Sequence, residues 1–154
     1  MTAFRIRRWR DSDNEALADL FRRSVREIGA RGYRPAQIEA WAAGPPDFDE
    51  RMGARVTFVA EADDRLIGFI QYDPPNRVDM TYVHPEYQRT GVASALLAEL
   101  ERDARARGVA ALHVEASITG RPFFEARGFA VLTPQIVTAR GQEFLNYRMM
   151  KRLD

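Results

Sequence analysis

The chemistry-bearing residues of this chain concentrate between Asp79 and Glu101. In Gln88-Arg89-Thr90-Gly91-Val92-Ala93 a glycine turn runs straight into a helix whose Val92, Leu96, Leu97, Leu100 and Ala104 fall on one stripe. Gly91 can take a backbone conformation closed to residues with a Cβ, and a helix start leaves several N–H groups unpaired and aimed at one spot. The helix dipole favours negative charge at that spot. The spacing therefore predicts an anion cradle, suited to a pyrophosphate. Other chemistries lack their residues. There is no cysteine, hence no disulfide, thiolate metal site or cysteine nucleophile. His84 and His113 are the only imidazoles, and neither pairs with a nearby acid in a metal-binding spacing. No serine sits in a nucleophile-elbow pattern, so a Ser-His-Asp hydrolase is unsupported.

The elements that must position this stretch follow from periodicity. Before the turn, Val78, Met80 and Tyr82 alternate with Asp79, Thr81 and Val83, a half-buried strand that Pro85 ends. Phe4 to Trp9 alternates as a first strand. Asp11-Ser12-Asp13 reads as an N-cap cluster for a helix with Ala16, Leu17, Leu20, Phe21 and Val25 on one face. Pro35 opens a second short helix that Gly44-Pro45-Pro46 breaks. Val56–Ala60 and Leu66–Tyr72 form an antiparallel pair around a turn at Asp63, and Pro74-Pro75-Asn76 turns into the central strand. Gly108 caps the long helix, Val109–Glu115 is the next strand, and a short helix spans Arg121–Arg127 with Gly128 closing it. Phe129–Leu132 and Phe144–Lys151 are the last strands. The expectation is one α/β (α+β) domain over 1–154, with a mixed, mostly antiparallel sheet of about seven strands flanked by about four helices. The strand-helix-strand unit around the long helix requires one parallel pair.

Composition bounds the partners. Lys and Arg number 23 against 22 Asp and Glu, and the arginines are spread along the chain. Nothing in that balance suits a polyanion or an anionic membrane, so neither nucleic acid nor membrane is expected as partner. No apolar run is long enough to cross a bilayer and no signal-peptide pattern opens the chain, so a cytoplasmic protein is the expectation.

Gln88-Arg89-Thr90-Gly91-Val92-Ala93, after Tyr82-Val83-His84-Pro85, resembles the acyl-CoA signature Gln/Arg-x-x-Gly-x-Gly/Ala of the GNAT N-acetyltransferase superfamily. A second stretch, Ser117 to Phe129, resembles that family's Asn-x-x-Ala-x-x-Phe-Tyr-x-x-x-Gly-Phe. There Phe123, Gly128 and Phe129 match outright, while Ser117 stands for the usual Asn and Gly120 for the usual Ala. Phe124 occupies the place of the family's frequent tyrosine. The element order is also that of the GNAT fold, so the resemblance covers essentially the whole chain.

The resemblance implies acetyl-CoA as cosubstrate and an amine acceptor, either a small molecule or a peptide. Thr81 and Val83 would pair through their main chains with the pantetheine arm, the Val83 amide pointing at the acetyl oxygen. The backbones of Arg89, Thr90, Gly91, Val92, Ala93 and Ser94 would hold the pyrophosphate, and Ser117 and Phe124 would line the coenzyme's site. Phe124 has no proton to give the departing thiolate. Tyr72, Tyr82 and Tyr147 are the candidate substitutes, and a thiol pKa of about 8.5 makes the loss survivable. Asp79, expected on the face of Thr81 and Val83, is the first choice of general base, and Glu115, sharing a face with His113 and Ser117, the second. For the acceptor, Tyr33, Trp41 and Phe48 interleave with Asp47, Asp49 and Glu50, a combination that suits a cationic amine, which Asp79 would also contact. A homodimer through the sheet edge or C-terminal strands is possible in such a family. Two other readings compete: a non-catalytic acyl-CoA-binding or sensing domain, motivated by Phe124, and a nucleotide-phosphate module. The second lacks the Lys-Ser/Thr of a P-loop.

Overall fold

A computed structural model gives the placement of residues 3–154. In chain order the elements are β1 (Arg5–Arg8), α1 (Asn14–Glu27), α2 (Pro35–Ala42), α3 (Phe48–Ala54), β2 (Val56–Ala62), β3 (Arg65–Asp73), β4 (Arg77–Val83), α4 (Val92–Ala106), β5 (Ala111–Ser117), α5 (Arg121–Ala126), β6 (Ala130–Ala139) and β7 (Gln142–Arg152). The strands form one sheet in the order β1-β2-β3-β4-β5-β7-β6, and only β4 and β5 run parallel. Asp63 and Asp64 take left-handed conformations between paired Ala62 and Arg65, the two-residue turn that matches the twist of a hairpin.

The sheet has a packed core on each face. On one side α4 buries Val92, Leu96, Leu97, Leu100 and Ala104 against Ile67, Ile70 and Tyr72 of β3 and Leu112, Val114 and Ala116 of β5. On the other, α1 and α2 bury Leu17, Leu20, Phe21, Val25 and Ile38 against Val59, Phe69 and Met80. Gly68 lets α4 lie this close, since a Cβ there would sit 2.9 Å from Val92 Cγ1 and 3.2 Å from the Tyr82 carbonyl. Buried Glu101 of α4 takes both carboxylate oxygens to Lys151 Nζ of β7 at 3.0 and 2.9 Å, fixing the helix against the far half of the sheet.

Three features depart from the sequence reading. A fifth helix, α3, covers the stretch expected to hold acceptor-binding aromatics and acids. Phe48 instead packs on Phe21 and Phe69 in the core, and Asp47 pairs with Arg51 at 2.8 Å. The Asp11–Asp13 cluster does not cap α1. Asp13 accepts from the Arg10 amide at 3.0 Å and from both ends of the Arg7 guanidinium, closing a separate short turn. β6 runs on to Ala139 through Pro134, which an edge strand tolerates because one side of it has no ladder to lose.

Candidate functional site

Two irregularities in the sheet build the site. β4 and β5 pair only at Arg77↔His113 and Val78↔Val114, and beyond those residues they part. His84 N–H donates to Ile67 O at 2.8 Å, toward β3. Backbone direction alternates along a strand, so the Val83 N–H before it faces the gap left by β5. The second irregularity is a bulge. Met80 pairs with Gln71 but Val78 pairs with Tyr72, which leaves Asp79 as an extra residue.

That bulge breaks the expected alternation. Val78 and Val83 pack on the α4 side, whereas Met80 and Tyr82 pack on the α1 side. Thr81 and Val83, opposite Ile70 and Gly68, keep to the α4 face. Asp79 does not share it. Its carboxylate is held by the Arg55 guanidinium, with Arg77 at 3.4 Å and Arg51 at 4.0 Å. The sequence pattern could not show this, because one inserted residue changes the face of everything before it.

Past the gap, His84 Nδ1 accepts from the Glu86 amide at 3.1 Å and shapes a short turn over Pro85–Tyr87. Gln88 Nε2 donates to Val83 O at 2.9 Å and Thr90 Oγ1 to Tyr87 O at 2.6 Å, so two motif side chains tie the loop to the strand end. Arg89 and Gly91 then take positive φ, +60° and +88°, and the helix ladder begins only with Ala95 N–H to Gly91 O at 3.0 Å. The amides of Val92, Ala93 and Ser94 therefore stand ahead of the ladder, and a Cβ at Gly91 would meet nothing within 4 Å. Ser94 Oγ accepts from Arg127 Nε at 2.9 Å and also from Nη2, and that guanidinium lies 5.6 Å over the Phe123 ring. A diphosphate fits such a terminus, with free amides, a positive dipole end and one arginine beside them.

This terminus opens into a cleft of about 840 Å³. Asp79, Thr81, Val83, Arg89, Gly91, Val92, Ala93, Ser94, Glu115, Ser117, Phe124, Tyr33 and Trp41 all line it; Thr90 does not, its hydroxyl being turned back onto the loop. Glu115 is exposed, opposite Arg148 on β7, and makes no ion pair among the described residues. Ser117 Oγ accepts from the Gly120 amide at 2.9 Å, which makes it the cap of the turn into α5. Phe124 is buried edge-on between Phe123 and Phe129. Of the three tyrosines weighed as acids, Tyr72 gives its O–H to Pro75 O, and Tyr147 lies under the Arg121 guanidinium. Tyr82 alone of them lines the cleft. Its hydroxyl accepts from Trp41 Nε1 at 3.1 Å, and burial pushes its pKa far up.

Among the described residues no cluster of His, Asp or Glu could hold a metal, and no helix is long and apolar enough to cross a membrane. Residues 30–151 match the family described as the acetyltransferase (GNAT) domain. The chain belongs to the GNAT acetyltransferase family. Over 150 residues it is 37% identical to an uncharacterized N-acetyltransferase, YafP, of Escherichia coli K12, covering 97% of this chain and 96% of that one. Among solved structures, a GCN5-related N-acetyltransferase from Rhodopseudomonas palustris superposes with a TM-score of 0.95 at 32% identity, over 99% of this chain and 97% of the other. The PaiA N-acetyltransferase of Thermoplasma acidophilum, solved in complex with coenzyme A, shares the fold with a TM-score of 0.79 at 22% identity, over 97% of this chain and 99% of its own. As a member of that family the chain is an acyltransferase.

Several residues of the cleft escaped the sequence reading. Arg127 sits one position before Gly128 of the second motif, and only its distance from Ser94 in space marks it. Val25, Ile28, Phe144 and Asn146 come from α1, the turn after it and β7. Nothing in their local sequence sets them apart from ordinary core or strand residues.

Proposed function

We propose that the protein transfers the acetyl group of acetyl-CoA directly to a primary amine, with both bound at once in the cleft. The observation that carries this reading is the meeting, in one cleft, of the amide-lined α4 terminus, the gap between β4 and β5, and an unpaired carboxylate at Glu115. Acetyl transfer needs an oriented thioester, a polarised carbonyl and a neutral amine. The backbones of Arg89 to Ser94 hold the diphosphate, and the Val83 N–H polarises the acetyl oxygen. The amine nitrogen attacks the carbonyl carbon, the C–N bond forms and the C–S bond breaks. Before that attack Glu115, acting through water, takes the ammonium proton, and the second proton that nitrogen sheds as the amide forms passes through solvent to the departing thiolate.

The ion pairs reverse the order of the two carboxylates. Asp79 is occupied by Arg55, Arg77 and Arg51 and serves to hold β4 and α3 together, whereas Glu115 is uncommitted. The leaving thiolate needs little help, given a thiol pKa of about 8.5. Tyr82 is the one tyrosine of the three in the cleft, but burial pushes its pKa far up and makes it too weak an acid to protonate such a thiolate, so the thiolate leaves without a phenol's help. Steady-state kinetics with a reactive amine test these roles. Glu115→Gln should lower kcat by about 100-fold. Asp79→Asn should chiefly lower stability. A Glu115→Gln enzyme with full kcat beside an inactive, folded Asp79→Asn enzyme would restore Asp79 as base.

A further inference from the structure

The acceptor half of the cleft is walled by Tyr33 of the loop into α2, Trp41 of α2, Tyr82 of β4 and Phe144 of β7. Tyr33 and Trp41 meet edge-on at 5.6 Å between ring centres, Tyr33 and Phe144 at 5.6 Å, and Trp41 and Tyr82 at 6.3 Å. The polar edges of these rings are turned inward onto the protein. Tyr33 donates its O–H to Leu145 O at 2.6 Å and accepts from the Ile118 amide at 3.1 Å. Trp41 spends its N–H on the Tyr82 hydroxyl. The rings therefore offer a visitor their faces, with Val25, Ile28, Val137 and Ala139 adding aliphatic surface.

Charge on this side is sparse: besides the Arg31 guanidinium, the wall carries two carboxylates here, Asp79 and Glu115. The Asp79 carboxylate is surrounded by three arginines, and Glu115 is the one carboxylate of the wall without an ion pair among the described residues. A polyamine would bring two or three cations to a wall with one free negative group. A peptide would bring backbone N–H and C=O groups that need partners, yet the Leu145 carbonyl and Ile118 amide that border the wall are taken by Tyr33, and the Glu143 carbonyl by Gln37 Nε2 at 2.6 Å.

Resting on the amine-acetyltransferase reading, we infer that the acceptor is a monocationic amine on an aromatic body, an arylalkylamine, rather than a polyamine or a peptide amino terminus. The ring stacks among Tyr33, Trp41 and Phe144, and the single ammonium sits toward Glu115, where it loses its proton before attack.

The test compares kcat/KM for 2-phenylethylamine, spermidine and a short unblocked peptide at saturating acetyl-CoA. 2-Phenylethylamine should lead by tenfold or more. Trp41→Ala should raise KM for 2-phenylethylamine about tenfold and leave KM for acetyl-CoA unchanged, while Trp41→Phe, which keeps a ring, should retain most of the preference. A lead for spermidine or the peptide, or a Trp41→Phe enzyme as impaired as Trp41→Ala, overturns the assignment. Binding gives a readout independent of turnover. Only Trp9 and Trp41 fluoresce as tryptophans, and Trp9 lies against Gly53 and does not line the cleft. In a Trp9→Phe protein, 2-phenylethylamine should shift the Trp41 emission at lower concentration than spermidine does. That shift without acetylated product would sink the transferase reading but keep the wall's preference; no shift at several tens of millimolar overturns the preference itself.

Discussion

The two halves of the cleft are made of different material. The half proposed for the coenzyme is main chain: a strand edge released by β5, a left-handed pair at Arg89 and Gly91, and the first amides of α4. The half proposed for the acceptor is side chain: four aromatic rings, a few aliphatic groups and one carboxylate without an ion pair among the described residues, brought from α1, the loop into α2, α2, β4, β5, β6 and β7. Main-chain recognition constrains conformation and leaves most side chains free to vary. Side-chain recognition does the reverse, so on the proposed assignment the coenzyme half is fixed by backbone shape while the acceptor half is open to substitution.

A backbone change should therefore damage the coenzyme half far more than a side-chain change. Gly91→Val should have the largest effect, because a β-branched residue at φ +88° is strained by about 1–3 kcal/mol although its Cβ meets open space. KM for acetyl-CoA should rise on the order of 30-fold or more, with the rest of the fold intact by circular dichroism and KM for the amine unmoved. If Gly91→Val bound acetyl-CoA normally, the cradle would not depend on its backbone. Arg127→Ala should come next. A charge-assisted contact of roughly 1.5–3 kcal/mol is lost beside the α4 terminus, so KM for acetyl-CoA rises about tenfold and becomes less sensitive to salt. Arg127→Lys should recover only part, since it lacks the flat fork that both reaches Ser94 and covers Phe123.

The same difference decides what was legible in the sequence. Gly91, with the strand before it and the apolar stripe after it, marks the coenzyme half because a conformational demand shows as a residue type at a fixed spacing. The seven strands were legible for a similar reason, their period being local. Asp79 lines the expected cleft but not the face of Thr81 and Val83, because a bulge is a non-local property of the β3–β4 register and no residue type at Val78 or Met80 announces it. α3 was missed because Gly44-Pro45-Pro46 ends one helix and hides the next, whose single buried residue, Met52, leaves little periodic signal. Phe144, Asn146 and Arg127 were illegible because their meaning lies in what the fold sets opposite them.

On the acceptor side, Tyr33→Phe sharpens the comparison from the other direction. The loss of one oxygen leaves the Leu145 carbonyl without its donor and the Ile118 amide without its acceptor. Stability should fall by about 1–3 kcal/mol in urea unfolding, the cost of stranding buried backbone groups. KM for the amine should rise several-fold, because the loop into α2 loses its tie to Leu145 of β7 and only Gln37 still joins α2 to that strand, while KM for acetyl-CoA stays put. An equal rise in both would mean that the two halves are mechanically one.

The smallest effect should come from His84, in the turn between β4 and the α4 terminus. Burial, then the nearby Arg65, lowers its pKa from 6.5, and Nδ1 accepts from the Glu86 amide ahead of the cradle. With a depressed imidazole pKa the folded state binds fewer protons than the unfolded one in a window extending down from 6.5. Stability thus holds above that window and is lost as pH falls through it. Protonation at Nδ1 replaces an acceptor by a donor facing the Glu86 N–H, which unlatches the turn. Acetyl-CoA affinity by calorimetry should therefore weaken a few-fold as pH drops from about 7 to about 5.5, and His84→Asn, whose amide oxygen can still accept, should flatten the slope. A slope that survives His84→Asn would assign the pH response to another group and leave the coenzyme half governed by backbone geometry alone.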